Sequence, residues 1–150
     1  VKIISNKNKI IEINFISEAA SKEIAPAKVF SKKFPENLPA EVENLKNQLT
    51  EYLQSKRQEF QIDYRISGTA FQQKILKETV RIPYGQTVSY KELAEKAGSP
   101  RAWQAAGQAL KNNKLPVIIP CHRVVGTRGY GGYNGGLKIK KILLKLEGSL

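Results

Sequence analysis

The segment Pro120-Cys121-His122-Arg123-Val124-Val125 places the only cysteine and the only histidine of a 150-residue chain side by side. A thiolate is a soft, strong nucleophile, but near pH 7 a free thiol is mostly protonated, so a neighbouring imidazole is an obvious base. Spacing argues against direct contact between the two. Adjacent residues on an extended strand point to opposite faces, so thiol and imidazole need a turn at Pro120 or a bridging water to communicate. Nothing else in the chain supplies an oxyanion hole with its own positioned base, which disfavours a cysteine hydrolase. On spacing alone, Cys121 reads as a small buried core residue following a strand. One Cys and one His also exclude an intrachain disulfide and the common zinc sites of three or four Cys and His ligands.

Several elements are available to position this segment. The apolar run 115–119 has the pattern of a buried strand leading to Cys121. Upstream, Ser89-Tyr90-Lys91-Glu92 is a capping box that starts a helix, which runs to Ala97 and stops at Gly98. Ser99-Pro100 then reads as a restart, with Ser99 as N-cap and Pro100 in the first turn, and the second helix continues to about Lys111. The layout is helix-turn-helix. Arg101, Gln104, Gln108 and Lys111 fall on or near one face of the second helix. Ala102, Ala105, Ala106, Gly107 and Ala109 keep its surface low, while Trp103 and Leu110 are expected on the core side. Phe71, Ile75, Leu76 and Val80 form an earlier helical face that Pro83 and Gly85 terminate. The amphipathic segment 137–146 ends in Glu147 and Gly148, at a helix C-terminus whose dipole disfavours a carboxylate, so Glu147 calls for a compensating partner.

Residues 1–66 have a different character. Two β-branched runs, 1–5 and 10–16, flank the turn-like Asn6-Lys7-Asn8-Lys9 and predict a hairpin. The stretch 17–39 is irregular, broken by Pro26, Pro35 and Pro39. Leu38, Val42, Leu45, Leu49 and Leu53 recur at helical spacing and predict a helix over 39–57, with a further short strand at 60–66. The expected fold is α/β of the α+β kind: an N-terminal hairpin-plus-helix support domain over 1–66 and a winged-helix-like domain over 67–150.

Lys and Arg number 25 against 13 Asp and Glu, a formal charge of +12 that favours a polyanionic partner. With 41% hydrophobic residues the composition is that of a folded globular chain, and no apolar run approaches the roughly 20 residues of a membrane span. The opening Val1-Lys2-Ile3-Ile4 offers no apolar leader, so a cytoplasmic location is expected. The absence of Met points to a heat-adapted source.

The segment 120–125 resembles the signature of the O6-alkylguanine-DNA alkyltransferases, and it follows a helix-turn-helix and an Asn-containing hinge as it does in that family. Ser89-Tyr90, Ala97-Gly98-Ser99-Pro100, Asn113, Gly132-Tyr133-Asn134-Gly135-Gly136-Leu137 and Leu146-Glu147-Gly148 support it in order, covering 70–148. The resemblance implies a single-turnover repair protein that flips a damaged guanine out of duplex DNA and takes its O6-alkyl group irreversibly onto Cys121. It implies a cysteine–water–histidine–carboxylate relay with His122 as base and Glu147 orienting it. Asn113 would brace the turn before the active-site segment, and Tyr90 would crowd the flipped nucleotide and donate a proton to the departing guanine. Tyr133, Asn134 and Gly135, with Val124, would hold the base. Lys91, Ser99, Arg101, Gln104, Ala105, Gln108, Lys111, Thr127 and Arg128 would contact DNA, with the second helix offering its N-terminus at Ser99 to a phosphate. No metal or other cofactor is implied. The partner is double-stranded DNA containing O6-alkylguanine, no membrane is involved, and the chain is expected to act as a monomer.

The chain departs from the family pattern in three places. Gln104 stands where the family has an intercalating arginine, with Arg101 as the alternative wedge. Asn134 stands where a serine commonly contacts O6, which leaves pocket size and alkyl preference open. Lys114-Leu115 follows Asn113 where a proline is usual. Two other functions compete: a sensor of alkylated DNA, against which Cys121 stands, and a helix-turn-helix regulator, which the Ala-rich second helix does not favour.

Overall fold

A computed structural model of the chain describes residues 2–6, 9–14 and 38–150. The chain divides into two units, Val1–Arg65 and Ile66–Leu150.

In the first unit, β1 (Lys2–Asn6) pairs antiparallel with β2 (Lys9–Asn14), with a register irregularity between Ile4 and Ser5. The tip of the expected turn, and the stretch 15–37 that contains the end of the second β-branched run, lie outside the described residues. Helix α1 (Ala40–Leu53) starts after Pro39 and buries Val42, Leu45, Leu49 and Tyr52. It stops short of residue 57, because Gln54 caps it and Ser55 takes a φ of 56°. The strand expected over 60–66 does not form. Tyr64 makes only a single parallel bridge to Ile10, and at Gln61 the Gln48 side chain takes both backbone groups at 2.7 and 2.9 Å, in place of a strand partner.

The second unit is built largely from helices. Helix α2 (Ala70–Val80) begins with a capping box between Thr69 and Gln72 and buries Ile75 and Leu76. Helix α3 (Tyr90–Lys96) begins with the box between Ser89 and Glu92: Glu92 donates its N–H to Ser89 Oγ at 3.1 Å, and Ser89 returns its own to Glu92 Oε2 at 2.6 Å. Gly98, at φ 68°, ends the turn after α3 in a conformation that glycine adopts without penalty.

Helix α4 starts later than the Ser-Pro pair suggests. Ser99, Pro100 and Arg101 form a turn in which Ala102 donates its N–H to Ser99 O at 2.9 Å, and the helix opens at Trp103, giving α4 (Trp103–Lys111). Ser99 is therefore not its N-cap, and Arg101 lies ahead of the helix face that carries Gln104, Gln108 and Lys111. Trp103 is not a core residue either: it is 49% exposed, whereas Leu110 is buried.

The run 115–119 is buried but is not a strand. Ile119 donates its N–H to Leu115 O, Pro116 and Ile119 form an isolated bridge, and Val117 sits at φ 76°. An apolar run fits a buried turn as well as a strand, and here a left-handed residue folds it back on itself. A single 3-10 turn over Cys121–Arg123 follows, then β4 (Val124–Val125), which pairs parallel with β3 (Val88–Ser89). Helix α5 (Leu137–Leu146) closes the unit, burying Lys140, Leu143 and Leu144. Among the described residues, no helix is long and apolar enough to cross a membrane, and no group of three or more His, Cys, Asp or Glu could hold a metal ion.

Candidate active site

The neighbouring Cys and His lie on a 3-10 turn, not on an extended strand. Three residues per turn replace the strand's alternation, and the turn is enclosed on all sides, with Cys121, His122 and Arg123 all buried. Cys121 is 4% exposed and forms part of the wall of a cavity of about 480 Å³, a size that accommodates a small-molecule ligand. Tyr90, Tyr133 and Asn134 line this cavity on one side, and Gly107, Gln108 and Lys111 of α4 on another.

Asn113 is fixed by three bonds. Its Nδ2 donates to Ile119 O at 3.0 Å and to Cys121 Sγ at 3.1 Å, and its Oδ1 accepts from Leu115 N–H at 2.9 Å. One amide therefore closes the folded-back run and presents a donor to the sulfur. Behind Cys121, His122 Nε2 lies 2.9 Å from Glu147 Oε1, edge-on to Tyr133 at a centroid distance of 6.3 Å. The compensating partner expected for Glu147 is Arg123: Nε reaches Oε2 and Nη2 reaches Oε1, each at 2.9 Å. Gly85 also offers its N–H to Oε2, at 3.4 Å, and Arg123 donates further to Ile82 O.

The electrostatics follow from burial. Desolvation pushes the Cys121 thiol up to about 11, against the opposing pull of the Asn113 donor and the Lys140 charge. Burial lowers the pKa of His122, more than Glu147 raises it, so the ring is neutral at pH 7 and able to accept a proton. Burial raises the Tyr90 hydroxyl, which keeps it a proton donor, and that hydroxyl donates to Gly132 O at 3.3 Å.

Two residues of the site are not singled out by the sequence reading. Arg123 enters it only as part of the six-residue segment. Lys140 is fully buried, donates Nζ to Val124 O at 2.6 Å and Gly132 O at 3.2 Å, and has its ammonium pulled down to about 8, chiefly by burial. A signal for it exists: Lys140, Leu143, Leu144 and Glu147 share the spacing of one helix face, so a lysine occupies an apolar stripe.

The other expected residues are more dispersed. Val124 is fully buried in β4 and, like Gly135, is not among the residues lining the cavity. Gln104 and Ala105 are exposed on the first turns of α4, one turn ahead of the cavity wall. Thr127 and Arg128 are exposed in a tight turn closed by Gly126 and Gly129, and Lys91 is exposed and pairs with Glu95 at 4.0 Å.

Residues 70–149 match the family model described as 6-O-methylguanine DNA methyltransferase, DNA binding domain. A methylated-DNA–protein-cysteine methyltransferase of Methanosarcina barkeri is 36% identical over 148 residues, covering 98% of this chain and 89% of that protein. A namesake from Mycobacterium bovis is 43% identical over 104 residues, covering 69% of this chain and 63% of that protein. Among solved structures, Mycobacterium tuberculosis OGT in complex with DNA superposes with a TM-score of 0.81 at 32% identity, over 98% of this chain and 85% of that one.

Proposed function

The chain belongs to the 6-O-methylguanine DNA methyltransferase family, and from that premise we propose that it repairs duplex DNA by moving the alkyl group of O6-alkylguanine onto its own Cys121. The observation that carries this reading is the lone thiol in the cavity wall, with Asn113 at its sulfur and the His122–Glu147 pair behind it. A base inside a duplex cannot reach a thiol that is 4% exposed, so the guanine leaves the stack and enters the cavity.

Sγ attacks the saturated carbon. The S–C bond forms as the C–O6 bond breaks, the electron pair stays with the guanine, and the guanine gains a proton, for which Tyr90 in the cavity wall is the donor. The resting thiol is protonated, so its proton must be removed for attack. His122, kept neutral by burial, accepts it at its other nitrogen, Nδ1, through a bridging water, and the Glu147 carboxylate stabilises the imidazolium that forms. The thioether is stable, which limits each molecule to one turnover.

Tyr133, Asn134 and Gly135 supply the lip that holds the base. Lys91, Arg101, Lys111, Thr127 and Arg128 are proposed to grip phosphates, in keeping with the +12 charge. One chain holds all of these groups, which supports action as a monomer, and its action on DNA with a reduced thiol supports a cytoplasmic setting.

The test is the intact mass of the protein after incubation with a duplex carrying one O6-methylguanine, followed by peptide mapping. A stoichiometric gain of one methyl on Cys121 is expected and should be lost in Cys121→Ser, which still binds the duplex. Tight binding without a gain in mass would overturn the transfer reading in favour of a sensor.

A further inference from the structure

We propose that Trp103, rather than Gln104 alone, is the wedge that enters the base stack when the guanine swings out. The inference rests on the alkyl-transfer reading and assigns the residue that holds the duplex open.

Position is the first observation. An α-helix turns about 100° per residue, so with Trp103 as origin Gly107 lies at about 40°, Lys111 at about 80°, Gln104 at about 100° and Gln108 at about 140°. Gly107, Lys111 and Gln108 line the cavity that holds Cys121. Trp103 and Gln104 therefore straddle the line of the cavity wall, and Trp103 stands one helical turn ahead of Gly107, at the rim.

Exposure is the second. Trp103 is 49% exposed at the start of α4, and the other large hydrophobic side chains exposed among the described residues are Val80, Leu137 and Leu150. An indole left in water at the edge of a nucleic-acid surface gains from being covered, and its flat ring suits the gap between two base pairs. Its solvent-facing neighbours Ala102 and Ala105 are small, so the backbone can approach a groove closely enough for the ring to reach the stack.

Chemistry is the third. The hole left by an extruded base is a flat slot with aromatic walls, where stacking is the main gain available. Gln104 brings a neutral amide that can bond the orphaned partner base but offers little stacking area. Indole and amide stand side by side with different roles, Trp103 filling the slot while Gln104 meets the unpaired base edge. Arg101, in the preceding turn, then faces a phosphate.

Trp103 is the only tryptophan in the chain, so its emission reports this placement directly. In Cys121→Ser, saturation with a duplex carrying one O6-methylguanine should at least halve the emission and reduce acrylamide quenching severalfold, with a smaller change on undamaged duplex. In the otherwise unaltered protein, Trp103→Ala should slow methyl transfer from duplex about tenfold, the scale of one lost stacking contact. That loss should exceed the loss on free O6-methylguanine base by at least fivefold, and Trp103→Phe should recover most of it. An indole that stays accessible in the saturated complex, or equal losses on duplex and free base, would overturn the proposal. So would a duplex defect in Gln104→Ala with none in Trp103→Ala, which would return the wedge to Gln104. A wild-type protein that gains no methyl from either substrate would overturn the transfer reading instead, and the emission titration would still decide where Trp103 goes.

Discussion

Arg123 holds Glu147 with two nitrogens at once, Nε on one carboxylate oxygen and Nη2 on the other, each at 2.9 Å, with the Glu147 side chain fully buried. The same carboxylate faces His122, so a single acidic group balances a buried guanidinium and orients the base. Removing its charge strands the guanidinium. Glu147→Gln keeps the shape but leaves Arg123 buried and uncompensated, a loss of about 3–5 kcal/mol of stability. Urea denaturation should show a correspondingly lower midpoint. A loss below about 1 kcal/mol would mean that solvent reaches the pair and the buried-clamp account is wrong.

His122 makes stability depend on pH in the acid range. Burial lowers its pKa below the ordinary 6.5, so below that value the unfolded chain binds a proton that the folded chain does not. This contribution to stability therefore falls as pH drops through 6.5 toward the lowered value. His122→Gln should remove that component, and unfolding midpoints measured at about pH 7.5 and about pH 5.5, on either side of the ordinary imidazole range, read it out. An unchanged slope in the variant would assign the acid sensitivity to other groups.

In the alkaline range Lys140 and Cys121 oppose each other. Burial lowers Lys140 from 10.5 to about 8, so between those values the unfolded chain holds the extra proton and stability rises with pH. Burial raises Cys121 from 9.0 to about 11, so over that window the folded chain holds the extra proton and stability falls. The wild-type midpoint should rise between about pH 8 and about pH 9 and then level off. Cys121→Ser removes the falling component, and its midpoint should go on rising toward about pH 10. A variant that levels off with the wild type would show that the thiol does not carry the opposing effect.

The features legible in the sequence are those that a few neighbouring residues encode. The box at Ser89 and Glu92 lies within four residues and holds wherever the rest of the chain goes, so the start of α3 can be read directly. Ser99-Pro100 carries an equally local helix-start pattern, yet Ala102 bonds back to Ser99 and α4 opens only at Trp103. The run 115–119 fits strand and buried turn alike, and the choice is made by Asn113 bonding across it, a contact that periodicity does not encode. His122 and Glu147 are 25 residues apart, and their pairing is expected only because the segments around them resemble a known family. Arg123 and Lys140 escape a sequence reading because a charged residue reads as surface by default, and their burial depends on partners from other elements.

Gly131 sets how closely the chain can pass Tyr90. Its φ is 66°, and a Cβ there would stand 2.6 Å from the Tyr90 ring and 2.7 Å from its hydroxyl. In Gly131→Ala the left-handed backbone costs about 1–2 kcal/mol, and the ring must also leave its present place in the cavity wall. The shift also strains the bond from the Tyr90 hydroxyl to Gly132 O. A larger transferred group touches more of that wall, so single-turnover transfer of a benzyl group from duplex should fall at least fivefold more than transfer of a methyl group. Equal losses for the two groups would mean that the substitution acts on stability or DNA binding and that Tyr90 does not shape the alkyl end of the cavity.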